Sequence, residues 1–131
     1  MKKLIGVMGL ILASGCATMP DPQRQAMMDE INRTIPVCSG ETDCNAKWEA
    51  AQIWVARNAD YKIQLATSVL IETYNSTNGS PSIAAKVTKE PLGGGKYRLL
   101  VAVWCDNMFG CVPDAYGKAL EFNKTVGAAK P

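Results

Sequence analysis

The chain of 131 residues contains no histidine. That removes the usual general base at neutral pH and the commonest metal ligand. Its cysteines nowhere show the Cys-x-x-Cys spacing of a redox site. A zinc site would normally combine close-spaced cysteines with histidine or further cysteines, and that set is missing too. Neither a Gly-x-Ser-x-Gly elbow nor a Ser-x-x-Lys motif occurs. The basic excess is small: 14 Lys and Arg face 12 Asp and Glu, so nucleic acid is not an expected partner. Long apolar runs are also absent. The stretch Leu4 to Ala13 is too short to span a bilayer as a mature helix.

What is present starts at the N-terminus. Met1, Lys2 and Lys3 precede that apolar stretch, and small residues follow it, which is the layout of a secretory signal. The run Leu12-Ala13-Ser14-Gly15-Cys16 resembles the lipobox of bacterial lipoproteins, with Ala13 where Leu is commonest. The resemblance implies diacylglycerol on the Cys16 thiol, cleavage after Gly15 and acylation of the new amine. Residues 1–15 are then a cleaved signal peptide, 16–21 a lipidated tether, 22–127 a single α+β domain and 128–131 a tail. Three acyl chains would make attachment effectively permanent. Ala17 is not the Asp linked to inner-membrane retention, so the resemblance implies an outer-membrane anchor, with the domain facing the periplasm. Cleavage removes Lys2 and Lys3, leaving 12 basic residues of the 14 against 12 acidic ones.

Four further cysteines remain, Cys38, Cys44, Cys105 and Cys111, and an even number in an exported chain reads as two disulfides. Five residues separate each pair, which favours local pairing, 38–44 with 105–111, over cross-pairing. Closing such a seven-residue ring stabilises by about 2.4 kcal/mol on chain-entropy grounds.

Periodicity supplies the elements. Asp21-Pro22 reads as an N-cap and first helical residue, opening a short helix with Met27, Met28, Ile31 and Ile35, ended by Pro36. A second helix runs from Thr42 or Asp43 to about Arg57, with Trp48, Ala51 and Val55 on one face and Trp54 widening it. From Tyr61 the period becomes two, predicting one long strand with Ile63, Leu65, Thr67, Val69 and Ile71 on its apolar face. A polar turn over 75–81 leads to a strand carrying Ile83, Ala85 and Val87. Pro91 and glycines 93–95 then connect to a strand from Tyr97 to Asp106, apolar on both faces. Pro113-Asp114 opens a last helix with Ala115, Ala119, Phe122 and Val126 aligned, and Gly127 as its C-cap. The expected fold class is α+β. It takes the form of a small antiparallel three-stranded meander packed with helices, in the order α-α-β-β-β-α, with two disulfides and with Lys130-Pro131 disordered.

No cofactor and no metal is expected. Glu41-x-Asp43-x-Asn45 has alternating oxygen ligands but lacks the glycine and distal Glu of a calcium loop, and reads as a helix cap. Two features suit binding. One is the ring between Cys105 and Cys111, with Met108 and Phe109 at its centre, a contact loop unless Phe109 folds back as a plug under the sheet, which the sequence slightly favours. The other is an even-numbered sheet face of Leu70, Tyr74, Leu100, Ala102 and Trp104, open only if the first helix leaves it uncovered. The candidate binding residues are Leu100, Trp104, Met108 and Phe109. The sequence favours a non-enzymatic, lipid-anchored binding or scaffolding module with an envelope protein partner. The alternatives are a small inhibitor or ligand-binding module using the 105–111 loop, and a cell-wall-acting hydrolase working through carboxylates.

Overall fold

In the computed structural model, which describes residues 21–131, the chain order is α1 (Pro22–Arg33), β1 (Val37–Ser39), α2 (Gly40–Asn58), β2 (Ile63–Ala66), β3 (Leu70–Thr73), β4 (Ala84–Gly93), β5 (Lys96–Trp104) and α3 (Ala115–Gly127). The lipobox and Cys16 lie outside the described residues. The fold is α+β, with three helices and one antiparallel sheet of five strands in the order β1-β5-β4-β3-β2. The expected three-stranded meander is therefore incomplete in two places.

The long strand from Tyr61 is really a hairpin. Thr67 breaks it: its hydroxyl accepts the backbone N–H groups of Val69 (3.2 Å) and Leu70 (3.0 Å), a side-chain turn that reverses the chain. The alternation then fails, and Leu65 and Val69 are exposed while Ile71 is buried. The other missed strand is β1, only three residues long, which pairs Val37 with Arg98 and Ser39 with Lys96 on the free side of β5.

The odd-numbered face of the sheet is the core side. Ile71, Ala85, Val87 and Leu99 pack against Ala51, Trp54 and Val55 of α2 and Phe122 and Val126 of α3. Trp54 meets Phe122 edge-on at 5.2 Å between ring centroids, the geometry the ring quadrupoles favour. Trp48 packs beside this cluster, its indole N–H donating to Thr67 O at 3.0 Å. Both tryptophans thus serve the core, as their helical spacing suggested. β4 and β5 are joined at Gly94-Gly95, with φ +61° and +75°, the two positive values that a two-residue hairpin turn demands.

The helix ends follow local chemistry. Asp21 caps α1 through Gln23 N–H (3.1 Å), and Asp114 caps α3 through Gly117 N–H (2.9 Å). At α2, Asp43 accepts the backbone N–H of Ser39 (2.9 Å), starting the helix at Gly40 instead of Thr42. The Lys47 ammonium, hydrogen-bonded to Asp43 at 2.6 Å, and the Ser39 N–H hold the Asp43 carboxyl below its usual pKa. That contribution to stability is present above the ordinary carboxylate range and fades as pH falls through the lowered value. Lys47 also donates to Ala129 O (3.1 Å), fixing the chain just before Lys130 and Pro131, the pair expected to be disordered. α1 buries no residue fully; it lies along α3, held by Asn123 Nδ2 donating to Ile31 O at 2.8 Å.

Both disulfides are local, Cys38–Cys44 and Cys105–Cys111. A non-reducing digest should yield these two linked peptide pairs; a 38–105 or 44–111 linkage would contradict the fold. Phe122→Ala should cost about 3–5 kcal/mol in denaturant unfolding, because it empties the contact between α2, α3 and the sheet.

Candidate functional site

The site follows from how β5 uses its backbone. Leu99 donates its N–H outward to Pro36 O (2.9 Å), while Lys89, opposite it on β4, donates to Val69 O on the far side. Odd-numbered residues of β5 therefore turn their N–H and C=O groups away from β4. β1 ends there, so no strand among the described residues lies beside Val101 and Val103. In the place of a sixth strand segment there is a cavity of about 480 Å³. Val101, Val103 and Trp104 form one wall, Met28, Ile31 and Asn32 of α1 a second, and Tyr116 and Ala119 of α3 the third. Cys105, Asn107, Gly110 and Cys111 close one end. Its size is that of a ligand pocket, and its lining is mostly apolar with two amide side chains.

The ring that closes this end is braced from the 75–81 loop. Asn107 Nδ2 donates to Gly79 O (2.7 Å) and its Oδ1 accepts Phe109 N–H (2.9 Å). Asp106 N–H donates to Ser76 Oγ (3.2 Å), Val112 N–H to Pro81 O (2.9 Å), and the Trp104 indole to Asn75 Oδ1 (2.7 Å). Between these fixed points Met108 and Phe109 project outward, 90% and 92% exposed. Phe109 is not folded back beneath the sheet. A side chain this apolar, held in water by a covalent ring, is poised for contact.

The predicted binding residues divide. Trp104 lines the cavity, and Met108 and Phe109 stand at the ring beside it. Leu100 does not join them: it sits further back along β5, half-buried on the face away from the helices and paired with Thr88. That face is indeed left open by α1, but it is not continuous grease. Glu72, Lys86 and Ala102 form one cross-strand row, and Glu90 bridges Arg98 at 2.7 Å in another. Val101, Val103, Ile31 and Tyr116 were not foreseen as a site. Only the apolar stripe of α1, Met28 with Ile31, hinted that its inner face would be used. Among the described residues, no group of three or more acidic or cysteine side chains is placed to hold a metal.

Tyr61 supports the bracing loop from behind. The hydroxyls of Ser76, Ser80 and Thr77 surround its Oη at 3.2–3.4 Å, and Thr77 N–H donates to it at 3.1 Å. These contacts pull its pKa from 10.0 down to about 7. The linked stability is absent below about 7, grows as pH rises through that value and is complete above 10. Ultraviolet titration should show one tyrosine ionising well before the rest. Tyr61→Phe should delete that phase and cost more stability at pH 9 than at pH 6. No family model, no curated protein and no solved structure matches the chain.

Proposed function

We propose that this chain is a lipid-anchored cell-envelope lipoprotein that binds an extended segment of an envelope protein and performs no chemistry of its own. The carrying observation is the uncovered β5 edge at Val101 and Val103, facing a cavity of about 480 Å³ with apolar walls. An extended peptide added there would satisfy outward N–H and C=O groups, and its alternate side chains would enter the space between α1 and α3. Natural edges this open are usually blunted by charge, proline or a bulge. Val101-Ala102-Val103 has none of these.

The address is part of the same reading. Cys16 supplies the lipid, and the absence of Asp at position 17 favours the outer membrane, facing the periplasm. The two disulfides suit an oxidising compartment. A second reading, a small inhibitor that inserts the 105–111 ring into a partner, is favoured by the exposure of Met108 and Phe109.

A photo-crosslinking residue in place of Met28, used in intact cells, tests the first reading. Val103→Pro, which removes one outward donor on a free edge, should abolish crosslinking of an envelope protein without lowering the melting temperature by more than a few degrees. Ile31→Glu should weaken it independently by charging the wall. Crosslinking that survives both variants but disappears with Met108→Ser and Phe109→Ser would support the inhibitor instead.

A further inference from the structure

We propose that the Met108–Phe109 tip is a second membrane contact, seated in the headgroup–acyl boundary of the bilayer that holds the N-terminus. The proposal rests on the anchored reading above, and its geometry comes from α1. Arg24 stacks over the Tyr116 ring at 5.5 Å, while Asn123 reaches Ile31 O and Lys124 pairs with Glu30. Early residues of α1 thus meet early residues of α3, and late meet late, so the two helices run parallel. α3 begins at Ala115, four residues after the Cys111 end of the ring. Asp21, where the chain comes in, therefore lies at the same end of the molecule as Met108 and Phe109.

The tether is short. Five Cα steps join Cys16 to Asp21, a reach of at most about 18 Å. Lipidation at Cys16 would hold this end of the domain against the bilayer and keep the opposite hairpin turn at Gly94-Gly95 away from it. The most exposed apolar side chains among the described residues are then on the membrane side. Val112, 71% exposed, extends that tip. The facing surface carries little charge: residues 74–85 have none, and 107–113 have none. Asp21, Asp60, Asp106 and Asp114 stand at this end with Arg24 and Lys118, which leaves no basic excess, so the contact is apolar and does not depend on anionic lipid. The ring's disulfide and Asn107 already fix the tip, so little ordering is lost on insertion. Two side chains are too few to hold a protein on a membrane, and the tip orients a domain that the lipid retains.

The chain has two phenylalanines, Phe109 at the tip and Phe122 fully buried, so one label reads both. The lipidated chain, labelled with para-fluorophenylalanine, is placed in phosphatidylcholine vesicles carrying nitroxide-labelled acyl chains. Fluorine NMR should show loss of the Phe109 signal, assigned with Phe109→Leu, and retention of the Phe122 signal. Palmitate on Cys16 is measured in parallel. Palmitate present with both signals retained overturns the tip contact and leaves the anchor standing. Palmitate absent, with the chain not sedimenting with vesicles, overturns both. A Phe109 signal lost equally without nitroxide, and more so at higher protein density, marks a second copy as the occupant and overturns the proposal.

Discussion

β5 is paired along one side for its whole length and along the other for only three residues. That mismatch governs the rest of the molecule. β1 opens only at Val37, because α1 runs to Arg33 and the link through Pro36 reaches β5 no further along than Leu99. The remaining edge of β5 needs a neighbour, and α1 stands opposite it without touching it closely, held to α3 by Asn123. A helix cannot satisfy a strand's backbone groups, so the space between them stays open. The cavity is thus a by-product of two local constraints, a strand that begins only after α1 has ended and a helix docked on the wrong neighbour to close the sheet.

The other end of β5 repeats the theme of rigid chain beside unfilled contact. Once the strand finishes at Trp104, the Cys105–Cys111 ring and the 75–81 loop brace one another through Asn107, Ser76 and Asn75. Tyr61 reinforces that loop through its hydroxyl. Polar groups of the loops are consumed in this bracing, while apolar ones, Met108 and Phe109, are left in water. The arrangement inverts what folding alone would select, since apolar side chains gain most by being buried. Stability comes from the layer of Trp54, Phe122 and the β4–β5 floor, far enough away that the tip and the edge are free to serve contact.

Much of this was legible in the sequence, and its failures have physical causes. Asp21, Asp43 and Asp114 announced helix starts because capping is a local hydrogen bond. Phe122, Val126, Ala51 and Val55 announced the core because helical periodicity reports burial directly. The equal spacing of the cysteines anticipated the local rings. The hairpin at Thr67 was hidden because period-two alternation is the same in one long strand and in two short ones joined by a tight turn. β1 was hidden because three residues carry no periodicity at all. Of the site, Trp104, Met108 and Phe109 could be read as apolar residues next to a constrained loop. Leu100 lies where its even-numbered position puts it, on the sheet face away from the helices and apart from the cavity. The roles of Val101 and Val103 depend on where another strand begins, which no local pattern encodes.

The central claim is that the outer edge of β5 beyond Leu99 is unpaired, and amide hydrogen exchange of the native protein tests it without any partner. Leu100 and Ala102, whose N–H groups point to Thr88 and Lys86, should exchange slowly, at rates near those of global opening. Val101 and Val103 should exchange much faster, giving a fast–slow alternation along one strand. Equal, strong protection at all four amides would show the edge already occupied and contradict the account.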